Sequence, residues 1–408
     1  MNHDPSKPTW LARALPLILT AALAVACGPD STPSSAAGDL TTTIDTTGGV
    51  VRVTNTGTAP EWDLTRLITI GPRGFGVGEG GPEEFGMASS ASLGPDDAVY
   101  ISDGYNAEVR VFGLDGEHLR TFGRHGEGPG EFASIESVAW VGDRLLALDL
   151  IGGRLNVFSP EGQPLGQRPA TAYWGGSGRG GLYPVGDDEV YAEALSRDTA
   201  GSSFVYVGQN MAGETGDTLH PPAAPWEHGV RCEWDDGWSR GFDIIYSPRL
   251  LAHPGPGASM YSARTDAYSI AVTRGADTLR VIERLLPAEP VTDEEWGLAT
   301  ADFEAFRDEL PRAVCTPRRP VRPLAKPFID EFFVAPDGRI WVEVMRTAGN
   351  RWEVFDPEGR LLATMPVREW KARSVPAFGP DHMVTIRQDS LEIDYVDVWR
   401  IETGGAVN

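Results

Sequence analysis

The sequence is short of basic residues. Lys and Arg number 35 against 58 Asp and Glu, for a formal net charge of -23. A surface that negative repels phosphate backbones and anionic headgroups, which argues against direct nucleic-acid binding or electrostatic membrane binding. Long apolar runs are also missing: the run at residues 15–26 has twelve residues, against the roughly 20 that a stable bilayer-spanning helix needs. Seven histidines are scattered, with no His-Glu-x-x-His motif and no close pair at ligand spacing. No Gly-x-Ser-x-Gly elbow supports a serine hydrolase of that kind. Three cysteines allow one disulfide and leave one thiol over. What is abundant is turn chemistry: Gly 48 and Pro 32 make up about a fifth of the 408 residues, against roughly an eighth in average proteins. That excludes a helix bundle, and a hydrophobic content of 41% with 12 Trp and 15 Phe excludes disorder over most of the chain.

Residues 1–26 read as an export signal, with Lys7 and Arg13 ahead of the apolar run and small residues leading into Cys27. Ala24-Val25-Ala26-Cys27-Gly28 resembles the bacterial lipoprotein signal, in which the cysteine is lipidated and becomes the mature N-terminus; Ala24-x-Ala26 also serves ordinary signal peptidase. Lipidation of Cys27 leaves Cys232 and Cys315 as a pair, which fits an oxidising compartment. Residues 29–47, rich in Ser, Thr, Gly and Ala, fit a flexible tether. The expected address is the bacterial cell envelope, at the outer membrane where the host has two membranes.

An internal repeat organises the rest. Residues 111–119, 157–165 and 354–362 align without gaps as Val-Phe, a Pro/Asp/Gly turn, and a returning segment, each a β-hairpin. Turn clusters at Gly94-Pro95-Asp96, Gly142-Asp143, Gly186-Asp187, Gly255-Pro256-Gly257, Pro336-Asp337-Gly338 and Gly379-Pro380-Asp381 each precede a β-rich segment. Six units of about four strands predict an all-β, six-bladed β-propeller. The last unit is one strand short, and residues 64–70 are expected to supply it and close the ring.

The whole of residues 48–402 resembles the bacterial six-bladed β-propeller lipoproteins related to NHL-repeat proteins. The resemblance rests on Gly123-Arg124-His125-Gly126-Glu127-Gly128-Pro129-Gly130-Glu131-Phe132, its weaker copy Gly81-Pro82-Glu83-Glu84-Phe85, the hairpin signature, and residues 51–57. It implies the fold and is nearly silent on function, because propellers host many unrelated activities.

Two insertions interrupt the repeat, about residues 221–248 and 287–327, and both fall between a fourth strand and the next first strand. Both therefore crown one face. Within the second, Thr292 with Glu295 predicts a helix cap, and Trp296, Ala299, Phe303, Phe306 and Leu310 form an amphipathic stripe. One cysteine lies in each insertion, so a Cys232–Cys315 disulfide is expected to staple the crown.

The best functional lead is a ring of residues expected to open the loops between second and third strands: Asp103, Asp149, Glu193, Arg264, Glu343 and Arg387. Facing a central channel, they carry a net charge of about -2 and favour a metal or cationic ligand on the axis, at about 2 kcal/mol for charges about 8 Å apart; the competing reading is that they cap loops, accept backbone N–H bonds and pair with the arginines in neighbouring blades. Trp226, Trp234 and Trp238, with Asp235 and Asp236, form a candidate partner-binding cluster, or else a small core private to the insertion. Gly76-x-Gly78-x-x-Gly81 and Gly176-x-Gly178-x-x-Gly181 match a dinucleotide fingerprint by count, but neither opens a helix, so no cofactor is expected from them. The remaining expectations are a signal peptide at 1–26, an anchored tether at 27–47 and a propeller at 48–408. Its insertion-bearing face is read as binding a small ligand or an envelope protein without catalysis. The alternative is a metal-dependent hydrolase or lyase, resembling lactonase-like or amidating-lyase-like propellers, with a divalent cation held by the acidic ring.

Overall fold

A computed structural model describes residues 39–72, 81–170, 181–198, 201–223, 229–234, 237–309, 313–371 and 374–403. The signal peptide, Cys27, Gly76, Gly78, Gly176, Gly178, Trp226, His228, Asp235, Asp236 and Leu310 lie outside the described residues.

In chain order the strands are β1 (Thr41–Thr47), β2 (Val50–Thr56) and β3 (Asp63–Ile70), then β4 (Ala88–Leu93), β5 (Ala98–Asp103), β6 (Glu108–Gly113) and β7 (His118–Phe122). There follow β8 (Ile135–Val141), β9 (Arg144–Asp149), β10 (Arg154–Phe158) and β11 (Pro164–Pro169), and then β12 (Leu182–Val185), β13 (Glu189–Asp198), β14 (Gly201–Asn210) and β15 (Thr215–Leu219). The first insertion holds β16 (Gly229–Glu233) and β17 (Ser239–Asp243), and β18 (Leu250–Gly255), β19 (Ser259–Arg264), β20 (Ser269–Arg274) and β21 (Asp277–Arg284) come next. The second insertion holds α1 (Asp293–Glu309) and β22 (Val314–Thr316). The chain ends with β23 (Ile329–Val334), β24 (Ile340–Val344), β25 (Arg351–Phe355), β26 (Leu361–Pro366), β27 (Ala377–Phe378), β28 (His382–Gln388) and β29 (Asp394–Glu402).

Four sets of consecutive strands, β4–β7, β8–β11, β12–β15 and β23–β26, form four-stranded antiparallel sheets, each a simple meander. The last sheet, β27-β28-β29, takes β3 as its fourth strand, with Val396 opposite Ile70 and Ile401 opposite Leu64. The predicted return of residues 64–70 to the chain's end is therefore a pairing in the structure. The three aligned hairpins are β6–β7, β10–β11 and β25–β26, and each turns through a glycine in the left-handed region, Gly116, Gly162 and Gly359, at φ 82°, 82° and 90°.

Apolar side chains join neighbouring sheets rather than forming one central core. One cluster joins β4–β7 to β8–β11 through Tyr100, Phe132 and Trp140; others join β8–β11 to β12–β15, and β23–β26 to the last sheet. Another, through Ile70, Val99, Ile101 and Val396, joins the last sheet to β4–β7. Hydroxyls tie first strands together as well: Val138 N–H donates to Ser90 Oγ at 3.3 Å and Trp140 N–H to Ser92 Oγ at 3.3 Å, so β4 and β8 lie side by side and parallel. Meanders packed side by side around their first strands are the arrangement of a β-propeller.

Two expectations change. The tether was read to Thr47, but Thr41–Thr47 is β1, an edge strand on β2, which itself runs parallel to β21 and extends that sheet to six strands. Its Thr-rich composition resembles a linker, yet β-branched residues ahead of a Gly48-Gly49 turn at positive φ are strand chemistry. Glu193 was read as opening a loop, but it sits inside β13, paired with Tyr206, because that hairpin extends to Asp198.

The insertions pair as β17-β16-β22, with Cys232 directly opposite Cys315 and joined to it by a disulfide. Thr292 and Glu295 cap α1 reciprocally, and Phe303 and Phe306 bury against Val230 and Phe242. The connections holding the insertions sit with the loops between second and third strands: Phe328 N–H donates to Thr265 O at 2.7 Å, and Lys326 Nζ to Thr347 Oγ1 at 2.8 Å.

Candidate functional site

The candidate ring residues have different partners in the structure. Asp103 is fully buried and accepts hydrogen bonds from Gly86 N, Met87 N and the Asn106 side chain, with Arg110 at 3.1 Å. Asp149 repeats the pattern with Ala133 N, Ser134 N and Gly152 N, and with Arg154 at 2.9 Å. Each carboxylate locks a second strand to the connection entering its own sheet, which the sequence reading had weighed as loop capping. Arg264 pairs on the surface with its neighbour Asp266 at 3.1 Å, and Arg387 pairs with the buried Asp397 at 2.8 Å. Among the described residues, no group of three His, Cys, Asp or Glu side chains is placed to hold a metal ion. The Asp103 and Asp149 carboxylates at the strand ends are each held by nearby backbone N–H groups and an in-sheet arginine, which leaves them less available to a cation.

Glu343 is the ring member with different surroundings. It stands opposite Glu331 across β24 and β23, and both are buried. Burial, with the Asp330 and Glu331 carboxylates nearby, raises its carboxyl to about 7, against hydrogen bonds from Asn350 and Trp370 that favour the charged form. Asn350 Nδ2 reaches Glu343 at 2.7 Å, and Asp330 pairs with Arg249 at 3.0 Å. Trp370 also packs edge-on against Phe333, with ring centroids 5.5 Å apart.

Phe333 lines a cavity of about 300 Å³ that the sequence reading did not anticipate. Six sheets, all but that of the insertions, contribute their first strand or the chain beside it: Ser90 and Ser92 from β4, Ser137 and Trp140 from β8, Tyr183 from β12, His253 from β18, Phe333 from β23 and Phe378 from β27. At one end stand Gly94, Pro95, Gly142, Gly186, Pro336, Gly379 and Pro380, from the turn clusters that counted the repeats. Small and ring-constrained residues there leave room between the sheets.

The hydroxyls in the wall are already used. Ser137 Oγ accepts Leu182 N–H at 3.1 Å, and Ser90 and Ser92 bridge to β8. His253 is buried, donates from Nδ1 to Pro254 O at 2.8 Å, and meets Tyr183 edge-on at 4.8 Å. The wall is thus largely apolar, with its serine hydroxyls bonded to neighbouring strands and Trp140 Nε1 buried without a hydrogen-bond partner, a surface suited to a largely apolar ligand. A sequence signal existed in the run Ala88-Ser89-Ser90-Ala91-Ser92, since small side chains in a buried strand leave space beside it.

Of the three candidate tryptophans, Trp234 and Trp238 are described. Trp234 packs edge-on against Phe306 at 5.4 Å inside the insertion's own cluster, whereas Trp238 is 73% exposed. No described helix is long and apolar enough to cross a membrane.

No family model matches the chain, and a search of curated proteins finds no similar sequence. Solved structures similar to it include a member of the DUF4221 family from Bacteroides vulgatus, at 10% identity and TM-score 0.44 over 85% of this chain and 100% of that one. A candidate exported protein from Bacteroides fragilis is similar at 11% identity and TM-score 0.43, over 84% and 95% of the two chains. A streptogramin B lyase is similar at 8% identity and TM-score 0.38, over 78% and 96%. Likeness at this level carries no argument about chemistry, which has to come from the cavity and its mouth.

Proposed function

We propose that this chain is an exported, lipid-anchored six-bladed propeller that holds a small, largely apolar ligand in its axial cavity without transforming it. Closure of the ring is supported by the cluster shared between last and first sheets, and by Ala88 N–H donating to Asp394 at 2.8 Å across the same junction. The observation that carries the ligand reading is the apolar wall, whose serine hydroxyls are bonded to neighbouring backbone rather than to a base. The test uses N-phenyl-1-naphthylamine, a neutral probe that brightens in apolar surroundings. Saturable binding of one probe per chain, abolished by Ala91→Trp with the fold intact, supports the reading; binding that ignores Ala91→Trp overturns it.

Acid–base chemistry at Glu343, outside the lining of the cavity and linked to it through Trp370 and Phe333, is a second reading, favoured by its buried carboxyl raised to about 7. Turnover of a lactone or ester, lost in Glu343→Gln, would replace the non-catalytic reading.

A further inference from the structure

The face that carries the insertions also carries most of the exposed large apolar side chains. Trp238 and Leu298 are 73% and 74% exposed, Val321 and Leu324 74% and 99%, and Ile245 and Val314 stand with them. Tyr105, Ile151 and Leu391 are exposed on loops between second and third strands, at the same end of the sheets. The exceptions, Ile44, Leu119, Leu165 and Leu279, lie on outer strands. The segment 314–328 has Arg318, Arg319, Arg322 and Lys326 and no acidic residue, in a chain of net charge -23. Arg322 pairs with Asp293 and Lys326 with Glu295, and Arg318 and Arg319 are exposed beside Val321 and Leu324.

The chain's N-terminal end meets this same face. Strand β2 runs parallel to β21, with Asn55 opposite Arg284, and Leu285 N–H donates to Asn55 O where β21 leaves for the second insertion. Thr41 opposite Thr56 puts the start of β1 at that end. Only residues 28–40 separate Thr41 from Cys27, and a flexible chain of that length spans about 20 Å on average. An anchor so close holds the face near the bilayer at high effective concentration, so weak apolar contacts suffice.

We propose that this face is a membrane-docking surface, with Trp238, Leu298, Val321 and Leu324 entering the headgroup region of the bilayer that carries the anchor. The proposal rests on the lipid-anchored reading of Cys27. Docking is apolar and interfacial, about 5–10 Å deep, with Arg318 and Arg319 at the phosphate level. The overall negative charge does not oppose it on zwitterionic lipid, because the docking segment itself is basic.

The test places an environment-sensitive nitrobenzoxadiazole label at Leu324→Cys or Leu119→Cys in the full lipidated chain, bound to phosphatidylcholine vesicles with and without phosphatidylglycerol. Flotation with the vesicles, and the mass of the acylated N-terminal peptide, first report the anchor. With the anchor present, the label at 324 is expected to shift blue on vesicle binding and to be quenched about twofold by lipids carrying a shallow nitroxide, while the label at 119 stays wet. Equal, wet signals from both sites in a floating chain overturn docking and leave the anchor standing. A label at 324 that is dry before vesicles are added points to a protein cover and also overturns it. A chain that does not float removes the anchor and the proposal together.

Discussion

Glu331 and Glu343 face each other directly across two neighbouring strands, both buried, at the end of the sheets where the insertions emerge. Burial raises the Glu343 carboxyl to about 7, with the Asp330 and Glu331 carboxylates adding to the shift. An acid whose carboxyl is raised in the folded state binds more protons folded than unfolded between pH 4.5 and about 7. Its contribution to stability is therefore fully present below pH 4.5 and declines as pH rises through 7. Glu343→Gln is expected to change stability little near pH 5 and to stabilise the fold at pH 8 by on the order of 3 kcal/mol, raising the melting temperature there. Thermal melts across that range check it, and an equal shift at both pH values would contradict it.

Asp149→Ala is expected to cost about 3–5 kcal/mol, because it strands the Arg154 guanidinium, which is only 12% exposed, and removes acceptors for three backbone N–H groups. A urea unfolding midpoint lowered accordingly supports the structural role. Unaltered stability together with lost ligand binding would return Asp149 to the functional list.

Reduction of Cys232–Cys315, which closes a separation of 83 residues, is expected to destabilise the insertions by about 4 kcal/mol in the chain-entropy picture. Limited proteolysis of the reduced chain is expected to cut first within residues 229–245 and 313–327, ahead of the four-stranded sheets. Simultaneous cutting throughout would show that the insertions and sheets unfold as one unit.

Asn55 is buried, donates to Gly359 O at 3.0 Å and accepts Leu361 N–H at 2.9 Å, pinning β2 to the next sheet's hairpin. Asn55→Ala leaves those two groups unpaired and is expected to cost about 2–3 kcal/mol. Faster hydrogen exchange at Leu361 than in the rest of β26 is the specific sign.

The sequence by itself determined the repeat. The Val-Phe hairpins, the Gly/Pro/Asp turns and the capped helix with its Phe303–Phe306 stripe are local patterns, set by the backbone conformations those residue types allow within a few positions. It also carried the Cys232–Cys315 pairing, since spare cysteines in two neighbouring insertions have few partners. Where Asp103, Asp149 and Glu343 point was decided only by the tertiary structure. Sequence alignment put them in equivalent places, yet Asp149 meets three nearby N–H groups and Arg154 while Glu343 meets Glu331. The cavity was hidden for the same reason, being bounded by first strands far apart in the chain, from Ser90 to Phe378. What a side chain can do there depends on neighbours that strand packing supplies, and a single sequence does not record which sheets pack together.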